Sequence, residues 1–259
     1  MGTLIIAGGG KFGKKALGFA KKNKCKTILV DKNPTCFCSS YATRKFETLG
    51  DFYSKIEEIE AGEVFFLIHD ISIIYELLVK FEPTYVIPVI PLHLSALIIK
   101  NFLREKININ LTPNEDITIK FVSSANKELL LTHSLEEGVA YLSYAKIDEV
   151  CPDNCFGPEN FCPNFNREKP ITITSYLKNY FDLHNSFRVV EDEDLKVIVI
   201  YESIQLMPGL GGLKGIVFNN IFKNLEEIFD KITTQNFSLY IATTCNCHGV
   251  INFYKNIIS

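Results

Sequence analysis

Several catalytic signatures are missing from this 259-residue chain. It has no Gly-Lys-Ser/Thr phosphate loop, no His-Glu-x-x-His and no Ser/His/Asp ordering, so hydrolase and nucleotide triphosphatase readings have nothing to stand on. A strong charge of one sign is missing as well. The 27 basic and 30 acidic residues leave a formal charge of −3, which gives no reason to expect nucleic acid as a partner. The first residues carry no charged leader followed by an apolar core and a cleavage site, so no secretory signal is read. No unbroken apolar run is long enough to span a bilayer. The nearest, residues 85–99, is interrupted by Pro88, Pro91 and His93 and closed by Lys100; a buried strand, a proline turn and a helix explain it better. Internal repeats and low-complexity linkers are absent too. These absences point to a cytoplasmic globular protein with no membrane or nucleic-acid partner. Its hydrophobic share of 47% and charged share of 22% are ordinary for that class, and its length suffices for one large domain or two modest ones.

What is present begins at the start of the chain. The apolar run Thr3–Ala7 leads into Gly8-x-Gly10-x-x-Gly13, and a helical pattern follows at once. A second apolar run, Thr27–Val30, ends in Asp31, eighteen residues after Gly13. Each part has a task in holding a dinucleotide. Gly8 permits the tight turn, Gly10 lets backbone approach a pyrophosphate, and Gly13 lets the helix pack close to the strand. The helix N-terminus, with Lys11 and Phe12 in its first turn, offers unpaired N–H groups and the positive end of a dipole. Asp31 stands where it would accept from a ribose hydroxyl, which favours NAD. Lys32 and the basic run Lys11, Lys14 and Lys15 could accommodate the extra phosphate of NADP.

Beyond this loop, strand and helix patterns alternate as a doubly wound parallel sheet requires. Strands are expected at 3–7, 26–31, 63–68, 84–90 and 107–111, with helices at 12–22, 50–60, 71–81 and 92–105. The ligand crevice of such a sheet lies at the carboxyl ends of its strands. His69 and Asp70 follow the third strand, where an adenine ring would lie. His93 follows the fourth, as a candidate proton donor beside a nicotinamide. From about residue 124 the alternation stops, and a smaller α+β domain is expected over 124–259. Its pattern reads as a strand at 138–144, an irregular stretch from Cys151 to Pro170, a helix at 174–182 and strands at 186–191 and 195–204. A glycine segment at 208–212, a helix at 219–233 and strands at 237–243 and 249–254 complete it.

The eight cysteines, with no export signal, argue for reduced thiols and hence for metal or redox chemistry rather than disulfides. Cys151-Pro-Asp-Asn-Cys155 and Cys162 put three thiols in a loop of Pro, Asn, Asp and Gly, whereas a structural cysteine belongs on an apolar strand or helix. A loop so poor in apolar residues needs a staple, and a metal ion provides one. Cys245-Asn-Cys247-His248 offers the missing ligand. Zinc would take four of these donors in a closed tetrahedron; an iron–sulfur cluster would take thiolates, and the Cys-Pro dipeptides echo ferredoxin loops. Cys36 and Cys38, after the ribose-binding tip, read as loop packing. Lys214, beyond the glycine segment, is a candidate anion contact. Glu202 is expected to be outward and solvated.

The run Ile5–Lys14 with Ile28–Asp31 resembles the nucleotide-binding domains of bacterial potassium-uptake regulators and, more broadly, the Rossmann family. The likeness covers residues 1–122. It implies Gly8, Gly10 and Gly13 at the pyrophosphate and Asp31 at the ribose. The combination of Cys151–Cys155, Pro208–Gly212 and Cys247–Gly249 looks like a group of NAD-binding proteins from anaerobes, a likeness that assigns no chemistry. Two functions follow as expectations. One is an oxidoreductase in which a nicotinamide exchanges electrons with a cysteine-held cluster or a small-molecule substrate. The other is a sensor in which NAD or NADH alters a zinc-stapled domain that signals to a protein partner, with a homodimer as one form. A metal-delivery factor with transient ligands at Cys151, Cys155 and Cys162 is a third.

Overall fold

The computed structural model describes residues 2–257; residue 1 and residues 258–259, the outer ends of the two expected domains, lie outside the described residues. The chain divides into two units, Met1–Leu94 with Ile204–Asn219, and Ser95–Ser203 with Asn220–Ser259. The sequence pattern puts the change at 123–124; the units change at 94–95 and the first takes back a later segment.

In the first unit the elements run β1 (Thr3–Ala7), α1 (Lys11–Lys22), β2 (Lys26–Asp31), β3 (Arg44–Phe46), α2 (Leu49–Lys55), β4 (Val64–Ile68), α3 (Ile74–Lys80) and β5 (Tyr85–Pro88). Burial explains the strands: Leu4, Ile5, Ile6 and Ala7 of β1 are all inaccessible, as expected of a strand covered on both faces. Helix α1 buries Gly13, Ala16, Leu17 and Ala20, a stripe at helical spacing whose small residues permit close approach. Lys21 and Lys22 sit in its last turn, where cations suit the negative end of the dipole. Thr48 caps α2 by accepting from the Asp51 N–H.

The second unit continues with α4 (Leu94–Ile107), β6 (Thr112–Pro113), α5 (Glu115–Ser124), β7 (Leu130–Ser134), β8 (Val139–Ser143), β9 (Phe161–Cys162), β10 (Arg167–Glu168), α6 (Ile173–Tyr180), β11 (Phe187–Glu191) and β12 (Leu195–Glu202). The chain then returns to the first unit as β13 (Ile204–Met207) and β14 (Leu210–Lys214), and goes on through α7 (Gly215–Glu226), α8 (Phe229–Thr234), β15 (Phe237–Thr244) and β16 (His248–Asn256).

The first unit's sheet has the order β13-β14-β5-β1-β2-β4-β3. Strands β3, β4, β2, β1 and β5 are parallel. Strand β14 adds antiparallel to β5, with Leu213 opposite Val86 and Lys214 opposite Tyr85. Sequence order therefore reverses between β1 and β5. The glycine segment at 208–212 forms the β13–β14 hairpin, turned at Gly209 with φ +67°. Gly215 follows it, where any Cβ would lie 1.9 Å from the Pro83 carbonyl oxygen.

The second unit's main sheet runs β11-β12-β15-β16-β8-β7, with β6 on the far end of β16. Strands β12 and β15 pair in parallel, and the other ladders are antiparallel. Its core gathers Phe121, Leu142, Ile173, Leu177, Ile200 and Phe253. The protein is thus mixed α/β in two units, with parallel and antiparallel ladders. Three sequence expectations change. Residues 107–111 are not a strand: α4 runs to Ile107, and Asn108 at φ +55° ends it in the left-handed conformation that asparagine tolerates. The helix expected at 219–233 begins at Gly215 and is two, α7 and α8. Strands β3, β6, β7, β9, β10 and β14 stand where no strand is expected. Among the described residues no helix is long and apolar enough to cross a membrane.

Candidate functional site

The glycine loop between β1 and α1 is built from backbone constraints that separate its four glycines. Gly8 has φ +108°, and a Cβ there would come 2.8 Å from Ile90 Cγ2. At Gly9 a Cβ would strike Cys36 Sγ at 2.3 Å, and at Gly13 it would strike the Gly8 carbonyl oxygen at 2.4 Å. These three are glycine because the fold leaves no room. Gly10 differs. Nothing lies within 4 Å of its Cβ position, its φ of −80° suits any residue, and it is exposed. It is also the N-cap of α1 and makes no side-chain cap. Gly10 thus meets no steric demand, a freedom it shares with Gly18 and Gly50, and glycine is favoured at an N-cap.

Asp31 is held against this loop. Its Oδ2 accepts the Gly9 N–H at 2.7 Å and its Oδ1 accepts the Asn33 N–H at 2.8 Å. A carboxylate oxygen accepts more than one hydrogen bond, so both oxygens keep capacity for a ligand. Cys36 and Cys38 pack beneath: Cys38 N–H donates to the Gly9 carbonyl at 2.9 Å, and its thiol faces the Gly10 carbonyl at 3.6 Å. Both are buried. Burial pushes the Cys38 thiol up to about 11, with the charges of Cys36 and Asp31 adding to it. Burial first and Asp31 second also raise Cys36. Such thiols are poor nucleophiles, in keeping with loop packing.

Two cavities lie within the first unit, the second of them reaching the loop's helix through Phe12. One, of about 510 Å³, lies at the carboxyl ends of β2, β3 and β4 among Pro34, Lys45, Thr48, Asp51 and Ile68. The other, of about 410 Å³, is lined by Phe12, the β5 tip from Pro88 to Pro91, and Gly209, Leu210 and Gly211 of the hairpin. Phe12 is 41% exposed. His69 sits at the tip of β4 with its Nδ1 3.2 Å from the Asp70 carbonyl oxygen. Asp70 caps a short turn by accepting from the Ser72 N–H at 2.9 Å, which lowers its pKa. Lys32 is exposed beside them. His93 lies just ahead of α4. Lys214 is exposed at the end of β14, and Glu202 faces solvent with Lys178 at 3.6 Å.

The second unit brings the later cysteines together. His248 opens β16, and its Nε2 lies 3.5 Å from Cys151 Sγ. Its Nδ1 lies 3.9 Å from Cys245 Sγ. Cys155 Sγ accepts the Gly157 N–H at 3.3 Å and the Asn164 amide at 3.5 Å. Cys245 Sγ accepts the His248 N–H at 3.4 Å. Burial raises the Cys151 thiol first, and Cys155, Cys162, Cys247 and Cys245 then raise it by charge, so all five sulfurs share one electrostatic neighbourhood. Burial also raises Cys245. Protein packed around the ring, and next the Lys169 charge, lower His248. Among the described residues no three of these donors yet surround one point tightly enough to hold a metal ion; they meet in pairs. Lys169, 1% exposed, donates to Cys247 Sγ at 3.0 Å and to the Pro158 carbonyl.

Comparison with known proteins follows this division. A model for the N-terminal domain of an uncharacterised protein matches residues 3–94, and a model for its C-terminal domain matches residues 97–257. The chain belongs to this two-domain family. A protein of Archaeoglobus fulgidus, described as an uncharacterised protein, is 30% identical over 251 residues, covering 97% of this chain and 98% of that one. No solved structure matches.

In this family member three features escape sequence reasoning. Gly9 sits inside the triple glycine at 8–10 yet fills no position of the motif; its N–H ties Asp31 to the loop. Lys45 and Thr48 reach the first cavity because β3 forms, and a three-residue strand leaves too short a periodic signal. Lys169 reads as one more loop cation, and only the folded chain buries it.

Proposed function

We propose that the protein binds a dinucleotide, NAD in the first instance, along the carboxyl edge of the first unit's parallel strands, in the manner of a Rossmann domain, and acts as an oxidoreductase on the nicotinamide so held. The observation that carries this reading is Gly10. Gly10 is free of steric demand, exposed, and set at the N-terminus of a twelve-residue helix, so it leaves room for a ligand to come within backbone distance. The positive end of the helix dipole suits a pyrophosphate. The reversal of strand order between β1 and β5 is where such crevices open. Asp31 suits the adenosine ribose and the cavity at Ile68, Lys45 and Thr48 the adenine. The apolar cavity at Phe12, Pro88 and the Gly209–Gly211 hairpin tip suits an uncharged nicotinamide face.

That second cavity also favours a second reading. Its lining is carbon and backbone, with no ionisable side chain among the lining residues. Binding without turnover, as a sensor of the NAD/NADH ratio, asks nothing more of it. Titration of the full chain with NADH and NADPH, followed by nicotinamide fluorescence, tests the shared core of both. Saturable NADH binding at one site per chain is expected, weakened about tenfold or more in Asp31→Ala, since a hydrogen bond to a charged group contributes about 1.5–3 kcal/mol. Equal affinity of wild type and Asp31→Ala for NADH would overturn the assignment. Reduction of an added acceptor by bound NADH separates oxidoreductase from sensor.

A further inference from the structure

We propose that the second unit binds one zinc ion through Cys151, Cys155, Cys162 and Nε2 of His248, with the buried Lys169 ammonium as its counter-charge. Four observations lead there, none of them depending on the dinucleotide. The first is what anchors the loop. From Lys146 to Glu168 the one buried residue is Cys162, while Ile147, Val150 and Phe156 are turned out to water. The stretch is held by polar contacts, among them the Arg167–Glu149 fork with two contacts of 2.8 Å and the Asn246 amide on the Gly157 carbonyl at 2.9 Å, rather than by an apolar core. A metal ion supplies the cohesion that an apolar core does not.

Distance is the second observation. Sulfur at about 2.3 Å and nitrogen at about 2.0 Å from a tetrahedral zinc stand about 3.5 Å apart. Cys151 Sγ and His248 Nε2 are 3.5 Å apart, so one edge of the tetrahedron is already set. The third is the treatment of the sulfurs. Cys155 Sγ accepts two N–H bonds, contacts that orient the sulfur as bonds to a metal-ligating group do. It stands at the bend of its loop, and Cys162 lies in the β9–β10 hairpin, whose turn provides Asn164. The Asn164 contact with Cys155 Sγ at 3.5 Å ties the hairpin that carries Cys162 to the Cys155 loop. The proposed shell adds these two thiols to the Cys151–His248 edge.

Charge is the fourth. Zinc displaces three thiol protons to solvent, and three thiolates, one neutral imidazole and Zn²⁺ sum to −1. A buried ammonium needs a negative partner. Lys169 has the Cys247 sulfur and the Pro158 carbonyl in hydrogen-bond range, and its charge also acts on Cys245 and His248. Lys169 and a shell of charge −1 neutralise one another, with Cys247, the sulfur that Lys169 touches, outside the shell. A histidine donor on the occupied edge also distinguishes zinc from an all-thiolate iron–sulfur cluster.

The test is metal and acid-labile sulfide analysis of tag-free full-length protein purified without oxygen or chelator, followed by zinc-edge X-ray absorption. About one zinc per chain without sulfide is expected, with three sulfurs near 2.3 Å and one nitrogen near 2.0 Å. Cys247→Ser and Cys245→Ser should keep the zinc and its three-sulfur shell, whereas Cys155→Ala should lose it. Iron with sulfide, a four-sulfur shell, metal-free protein, or zinc retained at full stoichiometry by Cys155→Ala would each overturn the proposal. Should Cys155→Ala fail to fold, the wild-type absorption spectrum decides alone. NADH titration of the same preparation is read separately, so failure of the metal site and failure of nucleotide binding are distinguishable.

Discussion

Gly10→Val is expected to reduce NADH affinity by about 100- to 10,000-fold while the melting temperature stays within a few degrees of wild type. The affinity estimate assumes the loss of two hydrogen bonds from backbone N–H groups to a phosphate, each about 1.5–3 kcal/mol, at about 1.4 kcal/mol per tenfold. The stability estimate comes from the open space around the Gly10 Cβ position and from a backbone that suits an L-residue. At this N-cap valine is less favoured than glycine, at a cost on the order of 1 kcal/mol, partly offset by the reduced freedom of the unfolded chain. Gly13→Ala gives the opposite signature. Its Cβ meets the Gly8 carbonyl oxygen at 2.4 Å, so helix and strand must separate, an overpacking cost of about 1–3 kcal/mol. Calorimetric melting beside NADH titration reads both variants. Loss of binding that always accompanies loss of stability would mean that the loop is only a turn.

Removal of zinc carries the second large effect. Metal that binds the folded but not the unfolded chain stabilises by about 4 kcal/mol at a thousand times its dissociation constant. The benefit falls on a stretch whose only buried side chain between Lys146 and Glu168 is a thiol. Chelation should therefore release the amides of residues 146–168 to rapid hydrogen exchange first. The first unit's sheet, with Ile5, Ile28, Phe66 and Ile87 inaccessible, should keep its protection. Chelation that leaves exchange in the loop unchanged would contradict this. Lys169→Met removes the counter-charge at similar length and should weaken zinc retention without changing the shell seen by X-ray absorption.

How far sequence reasoning reaches differs between the two units for a physical reason. In the first, each strand from Thr3, Lys26, Val64 and Tyr85 is a compact apolar run and each helix a regular stripe, so local pattern and final burial agree. It fails where the chain is completed from a distance. Strands β13 and β14 join β5 from more than a hundred residues away, a pairing that leaves no local trace. It fails as well at β3, too short to display a period, and at Ile109 and Leu111, whose burial comes from a connecting segment rather than a strand. In the second unit the thiols of the polar loop are conspicuous because their setting is wrong for packing. Their grouping with Cys245, Cys247 and His248 rests on the β15–β16 turn, and the buried charge of Lys169 on tertiary packing alone. Gly9 and Gly10 show the same limit at atomic scale. Both are glycine, and only the folded environment reveals that one is required by Cys36 and the other is not.

Amide hydrogen exchange of the full-length protein, with and without saturating NADH, most directly probes the nucleotide site. New protection should concentrate at Gly9–Gly13 and around Asp31, with smaller effects at Ile68–Asp70 and Gly209–Gly211. Protection confined to other segments, or none at saturation, would contradict a nucleotide cradle at this loop.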